Sequence, residues 1–352
     1  MANHSKRSGC PIGSGSTANG RKDNANLASG TGMGGSSLNS KNGGSGRTGD
    51  RIDDCGNCAK TLSGIIIKAL SGFYYVKSDG CVYECKARGI FRNEDITPLV
   101  GDRAEFSIDK NGKGFVTKIL DRRNFLTRPP VANVDRLIIV VSTAEPRPNP
   151  PVIDRLCAIA EDREIEPIIV INKTDLESPR EMLGIYEKTG LKVFAVCCQS
   201  GEGVEELKSA LRGGINVFTG NSGVGKSSLL NIIDPRLGLE TGEISEKLGR
   251  GRHTTRHASL FELESGGYVC DTAGFSSVDT ETGGYICKEN LQFAFREFLP
   301  YLGKCRFSSC SHICEKGCKI CEAVKKGVIA KSRHDSYVLL YNEAKQEELK
   351  RK

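Results

Sequence analysis

A glycine-rich segment at residues 220–227 constrains the fold of this chain most strongly. Its sequence, Gly220-Asn-Ser-Gly-Val-Gly-Lys226-Ser227, matches a phosphate-binding loop at every fixed position. A short apolar strand candidate (215–218) precedes it and a helix-like run (227–233) follows it, which is the context such a loop requires. The glycines let consecutive backbone N–H groups face a polyphosphate, while Lys226 reaches the β and γ phosphates and Ser227 ligates Mg²⁺. The sequence therefore predicts a nucleoside triphosphate site.

A second motif indicates which nucleotide is bound. Asn172-Lys-Thr-Asp175 follows the apolar run 167–171, which is typical of a buried strand that ends in a polar loop. The Asp175 carboxylate could accept from both N1–H and the 2-amino group of guanine, a donor pair that adenine lacks. Asn172 either braces the loop or contacts N7, and the Lys173 stem could lie along the base plane. Beside a phosphate loop, this motif predicts GTP.

A third motif, Asp271-Thr-Ala-Gly274, follows the strand candidate 268–270. Asp271 could hold a water molecule of Mg²⁺, and the Gly274 N–H could meet the γ-phosphate. In ordinary small GTPases the phosphate loop comes first and the guanine loop last, whereas here the guanine loop precedes both other motifs. This order predicts a circularly permuted domain, which a fold tolerates because domain termini often lie close together.

Apolar segments around these motifs alternate with helical patterns. We expect strands at 136–142, 167–171, 192–197, 215–218, 258–263 and 268–270, with helices at 151–164 and 204–211 between them. This alternation is typical of an α/β domain with a parallel sheet and helices on both faces.

A cysteine cluster follows the third motif: Cys305-x4-Cys310-x-His312-x5-Cys318. Three sulfurs and one imidazole suit a closed, tetrahedral and structural Zn²⁺ site, which would hold together a small segment with little apolar content. Cys314 and Cys321 lie in the same segment, and Cys318-x2-Cys321 is an alternative ligand pair.

Residues 62–121 favour a small β-barrel, because short apolar and aromatic stretches are separated by turn signals such as Asp79-Gly80 and Asn111-Gly112. Barrels of the OB type commonly bind RNA. Aromatic platforms could come from Phe73, Tyr74, Tyr75 and Tyr83, although we expect at least half of these rings to fill the barrel instead. The candidate phosphate contacts are Arg88, Arg92, Lys113, Lys118, Arg122 and Arg123.

Taken together, the permuted motif order and the Cys-x4-Cys-x-His-x5-Cys pattern resemble the ribosome small-subunit-dependent GTPase A family (RsgA, also called YjeQ). The resemblance covers roughly residues 60 to 342, including Arg128-Pro-Pro-Val-Ala-Asn-Val-Asp135 at the entry to the GTPase domain. It implies an N-terminal OB-fold, a central P-loop GTPase domain and a C-terminal helical zinc-binding domain. It also implies that the chain binds the small (30S) ribosomal subunit and its 16S rRNA, and hydrolyses GTP to GDP and phosphate during late ribosome maturation.

The resemblance also implies roles within the basic segment 249–257. Thr255, with Thr254 as second choice, would ligate Mg²⁺ and bond the γ-phosphate. Phe275 stands where many GTPases carry a water-orienting Gln, so His253 becomes the candidate for orienting the water. The catalytic candidates are thus His253, Thr255 and Lys226.

The nucleotide-site prediction includes one departure from the usual pattern, because Cys197-Cys198-Gln199 replaces the usual Ser-Ala-Lys; the Cys198 backbone N–H can still reach guanine O6. The candidate GTP-binding residues are Asn172, Lys173, Thr174, Asp175, Cys198, Gly220, Asn221, Ser222, Gly223, Val224, Gly225, Lys226, Ser227, Ser228, Asp271 and Gly274. The candidate Mg²⁺ ligands are Ser227, Thr255 and Asp271, and the candidate Zn²⁺ ligands are Cys305, Cys310, His312 and Cys318.

Composition agrees with this interpretation. The chain of 352 residues has room for two or three domains, and its formal charge of +7 favours an anionic partner. Fifteen cysteines without a signal-peptide pattern, and no apolar run of membrane-spanning length, predict a cytoplasmic protein that does not enter a membrane. We expect a monomer, since no dimerisation seam is evident.

We divide the chain into a Gly/Ser/Asn-rich extension (1–60), an OB-fold domain (61–124), a permuted GTPase domain (130–290) and a zinc-binding domain (291–352). The extension could be an RNA tether or a tolerated addition, and its Cys55-x2-Cys58 pair is a weak indication of metal binding. The tail 324–352 has a helical pattern.

Two other functions are compatible with the motifs. A nucleotide-gated RNA-binding switch with incidental hydrolysis would bind RNA in a GTP-dependent manner without stimulation by ribosomal subunits. A metal-dependent phosphatase would act on monophosphates and would be indifferent to Asp175→Asn.

Overall fold

The computed structural model describes residues 61–87, 97–239, 258–272 and 286–351, with the backbone alone at 271 and 272. Within these ranges, the helices are too short or too polar to cross a lipid bilayer. The extension 1–60 and its Cys55 and Cys58 lie outside the described residues.

The N-terminal part is a closed five-stranded barrel. Its strands are β1 (Thr61–Leu70), β2 (Phe73–Ser78), β3 (Cys81–Ala87), β4 (Arg103–Ile108) and β5 (Gly114–Ile119). They follow the order β1-β2-β3-β5-β4, and β4 pairs back onto β1 to close the barrel. The β3–β5 pair is parallel and the others are antiparallel. Ile66, Val76, Phe106 and Val116 fill the interior, because interior-facing residues alternate with exterior ones along each strand of a barrel.

The candidate aromatic platforms separate by strand alternation into two pairs. Tyr74 and Tyr83 pack against the barrel core, and the Tyr83 ring lies 5.2 Å from that of Phe106. Phe73 and Tyr75 occupy the alternate positions of β2, where a lysine ammonium lies over each ring, at 4.9 Å and 5.7 Å respectively. Half of the four rings therefore serve the core, because successive side chains of a strand point to opposite faces.

The candidate phosphate contacts also differ in their surroundings. Arg122 Nε and Nη2 each donate at 2.7 Å to the buried carboxylate of Asp102, so this guanidinium braces the barrel. Arg123 donates to Asp135, at the entry to the next domain. Lys113 and Lys118 are exposed, whereas Arg88 and Arg92 lie outside the described residues.

A short hairpin, β6 (Phe125–Thr127) and β7 (Pro130–Ala132), leads from the barrel into a six-stranded sheet. The strands of this sheet are β8 (Arg136–Ser142), β9 (Glu166–Asn172), β10 (Lys192–Ala195), β11 (Ile215–Thr219), β12 (Ala258–Glu262) and β13 (Tyr268–Thr272). Their order is β10-β9-β8-β11-β13-β12, and every pair is parallel except β12–β13. Strand β12, which pairs antiparallel with β13, also pairs with β1 of the barrel, where Ser259 lies opposite Lys68.

Helices cover both faces of the sheet. The helices α1 (Pro150–Asp162) and α2 (Arg180–Tyr186) bury apolar side chains on one face, and α3 (Val204–Ala210) and α4 (Lys226–Ile233) do so on the other. Along β8, Leu137, Ile139 and Val141 enter the first core, whereas Ile138 and Val140 enter the second. This arrangement confirms the expected α/β class, with β12 as an antiparallel exception.

The C-terminal part is helical. It contains α5 (Lys288–Leu291), α6 (Lys319–Lys325) and α7 (Lys331–Arg351), together with 3₁₀ turns at Gln292–Ala294 and Arg296–Tyr301. The expected helix at 324–352 is interrupted between α6 and α7, where Gly327 adopts a positive φ of 70°. A separate core of Phe295, Phe298, Ile320 and Tyr337 also takes in Ala158 of α1, which joins this part to the sheet.

Candidate nucleotide site and metal centre

The three sequence motifs come together at one edge of the sheet. Asn172 ends β9, Thr219 ends β11 immediately before the phosphate loop, and Asp271 lies in the last pair of residues of β13. Since these strands are parallel, their carboxyl ends lie at a common edge, which is where open α/β sheets bind ligands.

The phosphate loop runs from Gly220 into the first turn of α4, where Ser227 and Ser228 lie. Asn221, Ser222 and Gly223 are exposed, whereas Val224 is buried and anchors the loop in the core. Gly225 has a φ of 89°, and a Cβ there would collide with the Asn172 side-chain nitrogen. The close approach of the guanine loop therefore requires a glycine at this position.

Lys226 is folded back onto its own loop. Its Nζ donates to the carbonyl oxygens of Gly220 at 2.9 Å and Asn221 at 2.6 Å, and the residue is only 8% exposed. Burial lowers the pKa of Lys226 to about 8, because desolvation disfavours the ammonium form. A polyphosphate in the loop would offer this ammonium a stronger acceptor than two carbonyl groups.

The guanine loop is joined directly to the phosphate loop. The buried Asn172 donates from Nδ2 to the Val224 carbonyl oxygen at 2.9 Å, so in this structure its side chain braces the loop. Lys173 Nζ donates to the Glu145 carbonyl oxygen at 3.0 Å, and the Thr174 hydroxyl donates to that of Val196 at 3.2 Å. The neighbouring Asp175 side chain is exposed at the rim of the site.

Two thiols in the loop after β10 contact the guanine loop. Cys197 Sγ donates to Asp175 Oδ1, and Cys198 Sγ donates to Asn172 Oδ1, both at 3.3 Å. The sequence prediction assigned a role only to the backbone of Cys198. The contact of the Cys198 side chain depends on how the loop after β10 meets the guanine loop, and the local sequence carries no signal for this contact.

A cavity of about 140 Å³ adjoins the phosphate loop. It lies between the loop that follows β8 and the N-terminal half of α1, and Pro146, Arg147, Val152, Gly220 and Asn221 are among its lining residues. The loop after β8 thus borders the phosphate loop and, through Glu145, the guanine loop as well.

Several candidate residues cannot be located against this geometry. His253, Thr254, Thr255, Gly274 and Phe275 lie outside the described residues, and Asp271 is described by its backbone alone.

The predicted metal ligands lie together in the C-terminal part. Donor atoms of Cys305, Cys310, His312 and Cys318 all lie within 4.8 Å of one another. His312 Nδ1 is 3.6 Å from the sulfurs of Cys305 and Cys318, which are themselves 3.9 Å apart. Bonds of about 2.3 Å to a tetrahedral Zn²⁺ would place sulfurs about 3.8 Å apart, so this donor set fits zinc in number, chemistry and spacing.

The surroundings of the cluster also suit a metal. His312 Nε2 lies 3.0 Å from Gln292 Oε1, the kind of contact that orients a ligating imidazole. Burial lowers the pKa of His312, which favours the neutral ring that a metal binds. The alternative ligand Cys321 instead directs its thiol at the carbonyl oxygens of His312 and Ile313, at 3.7 and 3.5 Å, and Cys314 is exposed.

A buried ion network ties the C-terminal part to the sheet. Arg333 of α7 donates at 2.7 Å to Asp154 of α1 and at 2.7 Å to Glu297, and all three side chains are buried. Tyr186 donates at 2.8 Å to the same Asp154 oxygen. Sequence reasoning missed this network, because Arg333 and Asp154 are 179 positions apart.

The strand order and the motif order define the class of the protein. A phosphate loop follows β11, and the guanine motif precedes it in the chain. The guanine motif follows β9, which is separated from β11 by β8, and it contacts the phosphate loop through Asn172. This arrangement is that of a circularly permuted P-loop GTPase. Comparison with known proteins then identifies the family.

The family model described as the RsgA GTPase matches residues 119–281, and the model of the RsgA N-terminal domain matches residues 63–116. A "Small ribosomal subunit biogenesis GTPase RsgA" from Caldanaerobacter subterraneus subsp. tengcongensis is 45% identical over 293 residues, covering 82% of this chain and 98% of the relative. A protein of the same name from Streptococcus pneumoniae is 45% identical over 282 residues, covering 80% and 94% respectively. The chain belongs to the RsgA GTPase family.

Solved structures agree with this assignment. The crystal structure of YjeQ from Thermotoga maritima has a TM-score of 0.69 at 37% identity and covers 81% of this chain and 99% of that one. The structure of YloQ, described as a circularly permuted GTPase, has a TM-score of 0.68 at 34% identity and covers 82% and 96%.

Proposed function

We propose that this protein binds GTP at the sheet edge formed by residues 172–175, 197–198 and 220–228, and hydrolyses it to GDP and phosphate. The hydrogen bond from Asn172 to the Val224 carbonyl oxygen carries the proposal, because it holds the guanine and phosphate loops at a fixed separation. A ligand that reaches both loops must have a base and a polyphosphate joined at the corresponding distance, as a guanine nucleotide does.

In this proposal Asp175 accepts from N1–H and the 2-amino group of guanine, and its exposed position leaves the carboxylate accessible to a base. The phosphate-loop N–H groups and Lys226 bind the phosphates. Ser227, Thr255 and Asp271 would hold Mg²⁺, which when bound would supply charge neutralisation for the phosphate oxygens. Gly274 contacts the γ-phosphate, and His253 orients the attacking water.

We further propose that the partner is the small ribosomal subunit and that contact with 16S rRNA activates hydrolysis late in maturation. The names of the curated relatives support this partner. The barrel face on which lysines cover Phe73 and Tyr75 offers the cationic and aromatic chemistry that RNA-binding barrels use. A protein acting on ribosomal subunits would work in the cytoplasm, and we propose that it does so as a monomer.

The division of labour follows the proposed domains: an RNA-binding OB-fold at 61–124, a GTPase domain at 130–290 and a zinc-binding domain at 291–352, preceded by the extension 1–60. Zinc held by Cys305, Cys310, His312 and Cys318 has a structural role, because four protein ligands leave no position for a reacting water.

A base-specificity switch tests the nucleotide assignment. Asp175→Asn replaces an acceptor with a side chain that also donates, which disfavours the guanine 2-amino group and favours the 2-carbonyl of xanthine. We expect the variant to lose GTP hydrolysis and to gain xanthosine triphosphate hydrolysis, measured as phosphate release from each nucleotide. Phosphate release from GTP that is unaffected by the substitution would refute the assignment of Asp175.

A further inference from the structure

The loop after β10 carries two neighbouring thiols, and each one contacts a different side chain of the guanine motif. Cys197 Sγ donates to Asp175 Oδ1 at 3.3 Å, and Cys198 Sγ donates to Asn172 Oδ1 at 3.3 Å. Thiols are weak donors, and at 3.3 Å both sulfurs lie close enough to their oxygen partners to donate to them. The two sulfurs therefore act on different parts of the same site.

The contact of Cys198 bears on the orientation of an amide. The two ends of the Asn172 side chain have different partners: the oxygen accepts from Cys198, and the nitrogen donates to the Val224 carbonyl oxygen at 2.9 Å. Only 1% of Asn172 is exposed, so water cannot replace either partner. Turning the amide over would face its oxygen toward the Val224 carbonyl oxygen, and both groups would then be acceptors.

The thiol of Cys198 is suited to remain a donor. Burial raises the pKa of Cys198, and its hydrogen bond to Asn172 opposes this shift only in part. The thiol therefore stays protonated at neutral pH and keeps the hydrogen that it donates. Cys197 is buried and also accepts from the Ser200 backbone N–H at 3.5 Å, which fixes the position of its sulfur.

We propose that Cys198 and Cys197 are positioning residues with separate effects on the nucleotide. Cys198 acts through Asn172 on the phosphate loop and so sets the affinity for any nucleoside diphosphate with a compatible base. Cys197 acts through Asp175 and so sets the preference for a base that carries a 2-amino group. This proposal rests on the guanine site proposed above.

Calorimetric titration of the full chain with GDP and with inosine diphosphate (IDP), which lacks the 2-amino group, separates the two roles. We expect Cys198→Ala to lower the affinity for both nucleotides by the same factor of about three to ten, which corresponds to the loss of one ordinary hydrogen bond. Cys198→Ser, which restores a donor, should recover most of the affinity. We expect Cys197→Ala to lower the GDP-to-IDP affinity ratio by about three- to tenfold, and Cys197→Ser to restore it.

The matched control is Cys81→Ala, which removes an exposed thiol from the barrel and should leave both affinities unchanged. Alanine is the residue of the usual Ser-Ala-Lys loop at position 198, so this fold accommodates it. We expect the KM of Cys198→Ala for GTP to rise by a factor similar to its loss of GDP affinity.

The proposal is overturned if Cys198→Ala binds both nucleotides as tightly as the unsubstituted protein does, or if serine at 198 rescues nothing. It is equally overturned if Cys197→Ala weakens GDP and IDP by the same factor. A failure of the guanine site itself would look different, since the unsubstituted protein would then bind GDP no better than ADP.

Discussion

The buried guanidinium of Arg333 gives the most quantitative prediction about how the C-terminal part is held on the sheet. Arg333→Met removes the cation that lies 2.7 Å from both the Asp154 and the Glu297 carboxylates. Desolvation acts to lower the pKa of Arg333, but the two carboxylates outweigh it and raise that pKa above its ordinary value. Removing one partner from a buried ion pair costs about 3–5 kcal/mol, because the remaining charge keeps its desolvation penalty.

The loss appears as a lower unfolding temperature. For a unit of this size about 2 °C corresponds to 1 kcal/mol, so we expect Arg333→Met to lower the Tm by about 6–10 °C. The measurement is differential scanning calorimetry of the two proteins at the same pH and scan rate. Because the network is buried, the difference should persist when the salt concentration is raised.

A control variant lies on the same helix. Lys331 pairs with Asp335 at 2.6 Å, but their side chains are 80% and 56% exposed. We expect Lys331→Met to cost less than about 1 kcal/mol, as surface pairs do. A Tm change for Arg333→Met no larger than that of Lys331→Met would refute the view that the buried network joins α7 to α1.

Three further predictions concern the nucleotide and metal sites. The pKa of Lys226 is about 8 in the nucleotide-free protein, and bound phosphates would raise it, so GDP binding takes up a proton at alkaline pH. In calorimetric titrations we expect the GDP affinity to be constant below about pH 8. It should fall as the pH rises toward about 10, the ordinary lysine range. Affinity that does not change across this range would contradict the role of Lys226. Gly225→Ala places a methyl group against the Asn172 amide at a φ of 89°, so we expect GDP affinity to fall at least about tenfold. The control Gly190→Ala is also at positive φ but lies in open space, and it should not affect GDP affinity. Cys310→Ser removes one of four clustered donors and should reduce the bound zinc measured by atomic absorption, whereas Cys314→Ser should retain a full equivalent; equal zinc in both would argue against this ligand set.

The phosphate loop, the guanine loop and the positions of the strands could be predicted from the sequence, because short segments determine them. A glycine pattern between a strand and a helix specifies a phosphate loop wherever it occurs in the chain. The sequence also predicted that at least half of the four candidate aromatic rings would fill the barrel, and Tyr74 and Tyr83 do contact the core while Phe73 and Tyr75 meet lysines.

The long-range contacts could not be predicted in the same way. Arg333 stands in a Lys/Arg-rich tail, and its sequence neighbours do not distinguish it from an RNA-facing cation. Its burial depends on carboxylates contributed by α1 and by the 3₁₀ turn at 296–301. The same holds for Arg122, a candidate phosphate contact that instead pairs with the buried Asp102. In each case the partner becomes a neighbour only after the chain has folded.

The central claim, a guanine-nucleotide hydrolase that responds to the small ribosomal subunit, is tested most directly by phosphate release from GTP. The rate should be measured for the protein alone and with purified 30S subunits, 50S subunits or naked RNA, each beside the Asp175→Asn variant. We expect strong stimulation by 30S subunits alone, and loss of this stimulation in the variant. GTP-dependent binding to RNA without stimulation by 30S subunits would refute a subunit-responsive hydrolase and indicate a nucleotide-gated RNA-binding switch.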